Sequence, residues 1–137
     1  KLFTAINGLA YQPQANNTWL LFLPEDEDHD IGLIFAHYVL KASGQKVIFL
    51  GSKIPLESLQ KVLKTVTVNN ALLFMVRNRL PKAAQNYIDE LSVICRGIKM
   101  HLAGNNPLIE KLKNAGHINW IRSLDEFDTT IQNTRLL

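Results

Sequence analysis

The chain has 137 residues, 47% of them hydrophobic and 20% charged, the size and composition of one globular domain and not of a disordered segment. A net charge of +3, with only a short basic cluster at Arg77, Arg79 and Lys82, argues against a dedicated nucleic-acid surface. The longest apolar runs, such as Trp19 to Leu23, fall far short of the roughly 20 residues that span a bilayer; no secretory leader pattern is visible and the single Cys95 cannot form an internal disulfide, so a cytoplasmic protein without membrane contact is expected.

Lys1 to Asn17 stands apart from the rest. Leu2, Ala5, Ile6 and Leu9 make a short amphipathic stripe, which Pro13 and the polar run Gln14-Ala15-Asn16-Asn17 interrupt. Two readings are open, a helix packed on a sheet edge or the end of an upstream helical segment with its linker. The first residue is not Met, which favours the second, and residues 1–17 are assigned to it, with one α/β domain over 18–137.

From Thr18 onward, short apolar runs alternate with segments of helical period. Thr18 to Leu23 is the first predicted strand, and Ile31, Ile34, Phe35, Tyr38 and Val39 then form one helical stripe. Lys46 to Leu50 is the second strand, followed by Leu59, Val62, Leu63 and Val66 at helical spacing. Ala71 to Val76 comes third, followed by Ala84, Tyr87, Ile88, Leu91 and Cys95. Lys99 to Ala103 precedes Leu108, Leu112 and Ala115, and Ile118 to Ile121 precedes Leu124, Phe127 and Ile131. Pro55, Pro81 and Pro107 stand where first helical residues belong, and Gly44, Gly97 and Gly116 where helices close. Ser123 and Glu126 are spaced as a capping box. Five strands, each nearly continuous in apolar residues and separated by helices, predict a flavodoxin-like doubly wound parallel sheet of order 2-1-3-4-5 with helices on both faces.

Such a sheet binds ligands beyond the carboxyl ends of its strands, at the switch point beside strand 1. The loop there reads Pro24-Glu25-Asp26-Glu27-Asp28-His29-Asp30-Ile31-Gly32. A neutral imidazole at that place can ligate a transition metal through one nitrogen while a carboxylate holds the other, and Glu27 is placed to be that carboxylate. Gly32 would let something bulky approach the helix start. The acidic run taken alone reads as a hydrated surface and not as a hard-cation site. His101 lies inside a strand and reads as a hydrogen-bonded core residue, His37 is too far from His29 to share a metal, and His117 reads as a surface residue at a helix end. Cys95 is expected to be buried and inert.

Glu27-x-His29-x-x-Gly32 resembles the Asp-x-His-x-x-Gly signature of cobalamin-binding domains. The run from Leu23 to Leu59, "LPEDEDHDIGLIFAHYVLKASGQKVIFLGSKIPLESL", is similar to the effector domain of MerR-type transcriptional regulators that carry a cobalamin-binding module. The resemblance implies that His29 is the lower ligand of cobalt in cobalamin, displacing the cofactor's own benzimidazole, with Glu27, Asp28, Ile31 and Gly32 around it. The displaced nucleotide tail would lie in a slot lined by Gly51, Ser52, Ile54 and Pro55 after strand 2, by Met75 and Arg77 after strand 3, and by Ala103, Gly104 and Asn105 after strand 4. In relatives of this kind an upstream helical bundle caps the corrin and a DNA-binding domain precedes the bundle, so DNA contact would come only through an attached domain. A dimer or tetramer is implied as well.

The departures fall on the tail slot. The family has Ser or Thr at the end of strand 3, where this chain has Phe74-Met75-Val76-Arg77, and a Gly-Gly pair after strand 4, here Ala103-Gly104. Met75 would fill the slot, and Arg77 with Arg79 would suit an anionic group. Three functions follow: a cobalamin sensor that is not an enzyme; a fold that has lost its cofactor and serves as a dimerisation or protein-interaction module; and, weakest, an enzyme or its cofactor-carrying part, such as a corrinoid methyl carrier or mutase subunit. A phosphoacceptor receiver domain is set aside, because Val76-Arg77 and Arg122 stand where its Asp and Lys belong. No GxGxxG loop follows strand 1 to support dinucleotide binding.

Overall fold

A computed structural model describes residues 17–135. The amphipathic stripe and linker assigned to residues 1–17 therefore lie outside the described residues except for Asn17. Five parallel strands form one sheet of order β2-β1-β3-β4-β5, with β1 at Thr18–Pro24, β2 at Lys46–Ile54, β3 at Asn70–Met75, β4 at Lys99–Gly104 and β5 at Ile118–Trp120. Helices α1 (Ile31–Ala42) and α5 (Leu124–Arg135) cover one face. On the other lie α2 (Leu56–Thr65), α3 (Pro81–Ile94) and the short α4 (Asn106–Ile109). The expected doubly wound topology is the one observed.

Alternation along the strands explains the two cores. Trp19, Leu21 and Leu23 of β1 face α1 and α5 with Leu72, while Leu20 and Phe22 face α2 and α3 with Leu73 and Met75. All seven residues of β1 are buried, as the central strand of a sheet covered on both sides requires.

Four local expectations need correction. The predicted stripe on α1 holds only in part: Val39 is buried and Phe35 half-buried, but Ile31, Ile34 and Tyr38 are exposed, and Leu33, Ala36 and Leu40 enter the core with Val39. The run Ile31-Gly32-Leu33-Ile34-Phe35-Ala36 is apolar all round, so its period cannot say which side is covered. The helix expected over Leu108, Leu112 and Ala115 stops at Ile109. Beyond it, Gln85 of α3 holds the backbone of Lys113 by both its N–H and its carbonyl, and Asn114 is left-handed with φ 54°. Strand 2 continues through the segment Gly51 to Ile54 that was expected to be a loop, with breaks in register against β1 between Leu21 and Phe22 and again before Pro24. Pro55 is the residue preceding α2 and not its first helical residue.

Candidate functional site

The acidic loop after β1 is tied to the loop after β3 through one carboxylate. Glu27 is fully buried. Its Oε2 accepts hydrogen bonds from the backbone N–H of Val76 and of Arg77, both at 2.9 Å, and from the Arg79 guanidinium. Arg79 pairs with Asp26 Oδ1 as well, at 3.0 Å. The loop backbone is held from the other side by Lys53 N–H, which donates to the Glu27 carbonyl at 3.1 Å. A buried carboxylate needs such compensation, and here charge-assisted bonds supply it.

The second oxygen of Glu27 is left over. Oε1 is buried without a hydrogen-bond partner and lies 3.9 Å from Nδ1 of His29, whose Nδ1 is also 3.5 Å from Asp28 Oδ1. The imidazole side chain is 62% exposed. One ring nitrogen thus faces two carboxylates while the ring itself stands open to solvent at the carboxyl edge of the sheet. The expected partnership of Glu27 and His29 is present as a facing pair and not as a formed hydrogen bond. The main grip of Glu27 is on β3 and Arg79.

Exposed apolar side chains stand at the same end of the sheet as this imidazole. Ile31 is 83% exposed, Leu80 75% and Leu124 53%. They stand at the starts of α1, α3 and α5, where those helices leave the sheet's carboxyl ends. Several large exposed hydrophobes at one mouth mark a surface built to be covered.

Between α1 and α5 opens a slot of about 340 Å³, lined among others by Gly32, three residues after His29 in the chain. Its buried walls are Ala36, Leu72, Ala103, Ile121 and Phe127; Phe35 and Phe74 are half-buried within it, and Asn106, Arg122 and Ser123 stand at its exposed end. Gly104 is held at φ 126°, and a Cβ there would collide with the Met75 carbonyl oxygen, so only glycine lets β4 leave the sheet against β3 here. The Asn105 N–H donates to that same carbonyl at 2.7 Å. Its side chain accepts from Leu108 N–H and donates to Asn78.

The predicted residues are therefore only partly brought together. Glu27, Asp28, His29, Ile31 and Gly32 gather at the mouth, and Gly32, Ala103 and Gly104 line the slot. Asn105 sits at the turn into α4 without lining the slot. Gly51, Ser52 and Ile54 belong to β2, on the far side of β1, and Pro55 lines a different concavity with Tyr87 and Glu90, so this part of the expected slot is corrected. Met75 is wholly buried toward α2 and α3 and does not enter the slot, because strand alternation sends it to the opposite face. Phe74 enters instead. A Cβ added to Gly32 would touch Phe74 Cε2 at 2.7 Å, so the bulky group that Gly32 admits is a side chain of the protein itself. Arg77 is exposed and donates to the Asp26 carbonyl at 3.1 Å, and Arg79 is consumed by Asp26 and Glu27. The anionic subsite expected from these two arginines is thus not formed.

Sequence reasoning missed the contribution of the segment after β5 (Ile121, Arg122, Ser123) and of Phe127. The signal available was the capping pair that follows β5: Glu126 N–H donates to Ser123 Oγ at 3.1 Å, which fixes where α5 starts and hence where the slot ends. The reciprocal bond goes to Arg122 N–H, one residue earlier than in the standard box.

The other histidines play no part in this mouth. His101 is buried, bonded to Asn70 Oδ1 and to Asn119 Nδ2 at 3.0 Å each and stacked on Trp19 at 4.8 Å; burial pushes its pKa down to about 4. His37 stacks on Phe49, and His117 lies 2.9 Å from Ser92 Oγ. Cys95 is a free buried thiol, and burial pushes its pKa up to about 11. Among the described residues, no group of three or more His, Cys, Asp or Glu is arranged to hold a metal ion, and no helix is long and apolar enough to cross a membrane.

No protein-family model matches the chain, and no curated protein does. Solved structures do. A cobalamin-binding protein from Desulfitobacterium hafniense DCB-2 superposes with a TM-score of 0.67 at 20% identity, over 90% of this chain and 60% of that one. The methanol:cobalamin methyltransferase complex MtaBC from Methanosarcina barkeri gives a TM-score of 0.67 at 20% identity, over 95% of this chain and 53% of that one. The chain thus has the flavodoxin-like fold of cobalamin-binding domains and spans a little over half the length of these relatives.

Proposed function

We propose that this chain is a cobalamin-binding sensory domain of a MerR-type transcriptional regulator, with His29 as the lower ligand of cobalt. The observation that carries the reading is the Glu27–His29 pair: a buried carboxylate has one oxygen saturated and the other orphaned, facing Nδ1 of an exposed imidazole at the switch point. Were Nδ1–H to close the gap and donate to that oxygen, Nε2 would be left as the coordinating atom.

The residues present fit the cofactor. The orphaned Glu27 oxygen awaits a donor, exposed Ile31, Leu80 and Leu124 stand at the same end of the sheet as the imidazole, and the slot lined by Gly32 is concave and largely apolar. His29 would hold the metal and Glu27 would orient His29. The slot would take the base that leaves the cobalt. Bound cobalamin supplies a cobalt–ligand bond whose state can be sensed. The domain itself performs no reaction, and its output passes to an attached DNA-binding domain.

Purified protein mixed with hydroxocobalamin and desalted should keep a visible spectrum shifted to that of a histidine-ligated corrinoid, and His29→Ala should lose the shift. Wild-type protein that stays colourless with both hydroxocobalamin and adenosylcobalamin overturns the reading. A second reading, a cofactor-free interaction module, is favoured by the exposed strip of Ile31, Ile34 and Tyr38 on α1 and by the Phe74 ring packed on Gly32. It wins in that case.

A further inference from the structure

We infer that the slot between α1 and α5 selects the chemical class of the corrinoid's tail base, admitting a benzimidazole and discriminating against a purine. The inference rests on the reading of His29 as the cobalt ligand. When an imidazole from a protein takes the lower position on cobalt, the base that the corrinoid carries there is released and needs a place. Gly32, three residues after His29 in the chain, lines the slot.

Its chemistry is uneven from end to end. At the buried end the side chains are Ala36, Leu72, Ala103, Ile121 and Phe127, with the Phe74 ring beside them, and none carries a hydrogen-bonding atom. Side-chain donors and acceptors occur only at the exposed end, and two of them are engaged. Arg122 pairs with Glu126 at 3.2 Å, and Ser123 Oγ accepts from Glu126 N–H. An apolar base buries its edge there at no cost. Adenine would bury an exocyclic amine and ring nitrogens against phenyl and methyl groups, and each polar atom left unpaired lowers affinity on the order of tenfold. Phe74 is the residue at issue, since it is the half-buried wall whose replacement by a hydroxyl side chain would restore a polar partner.

The test is a spectroscopic titration of the full chain with three corrinoids: cobalamin, its adenine-tailed analogue, and tail-free cobinamide. Cobalamin is expected to bind at least about tenfold tighter than the adenine-tailed form, with cobinamide also weaker than cobalamin. Phe74→Ser should narrow the cobalamin–adenine gap several-fold, and Phe74→Leu, which keeps the wall apolar, should preserve it. Equal affinity for all three corrinoids, or tighter binding of the adenine-tailed form, overturns the inference while leaving His29 ligation intact. Binding of none of them overturns the functional reading itself, and the inference with it.

Discussion

Glu27 and Arg79 form the buried ion pair that joins the loops following β1 and β3, and the same Glu27 oxygen takes two backbone N–H groups. Removing one partner of such a pair leaves the other charge uncompensated. Glu27→Gln should therefore destabilise the domain by about 3 kcal/mol, read as a lower urea midpoint with an unchanged slope. The double variant Glu27→Gln/Arg79→Met should be less destabilised than the sum of the two single variants. Additive losses would mean that the two groups are not coupled.

Gly104 and Gly97 both have positive φ but differ in surroundings. At Gly104 a Cβ would collide with the Met75 carbonyl oxygen, whereas at Gly97 nothing lies within 4 Å. Gly104→Ala is expected to cost at least about 3 kcal/mol, or to prevent folding, while Gly97→Ala costs only about 1 kcal/mol. Thermal denaturation of the two variants side by side measures the difference.

His101 makes stability depend on pH. Burial, reinforced by the nearby Lys99 charge, lowers its folded pKa to about 4 from the ordinary 6.5, so the unfolded chain takes up a proton that the folded one refuses between those values. Stability is unaffected above pH 6.5 and falls as pH drops from 6.5 toward 4, by about 3 kcal/mol across the window. His101→Gln should be less stable at pH 7 yet lose less on acidification. Urea titrations at pH 7 and pH 4.5 for both proteins measure this, and parallel losses would refute the assignment.

The two faces of α1 give a contrast. Leu33 is wholly buried while its neighbour Ile34 is half exposed. Leu33→Ala should cost about 2–5 kcal/mol and Ile34→Lys no more than about 0.5 kcal/mol. A reversed order in chemical denaturation would restore the face that the periodicity suggested.

The sheet order and all five strands were legible in the sequence because buried parallel strands are continuous apolar runs, and Gly44, Gly97 and Pro81 punctuate the helices between them. The mouth was legible too, since the switch point and the spacing of Glu27, His29 and Gly32 are local facts. The slot was not. Whether Phe74 or Met75 enters it depends on the phase of strand alternation, which a fully apolar strand such as Leu72-Leu73-Phe74-Met75 conceals. The end of α4 was hidden for a related reason, because Gln85, which arrests it, lies 28 residues away from Lys113 in the chain.

The border of the sheet at β2 has a consequence for assembly. Its pairing with β1 slips twice between Phe49 and Ile54, and Gly51 and Lys53 there adopt φ of 93° and 56°. A strand arriving from a neighbouring molecule would find the row of hydrogen-bonding groups broken along this stretch, which discourages growth of the sheet from copy to copy. Elsewhere, α1 carries Ile34 and Tyr38 on an exposed apolar strip.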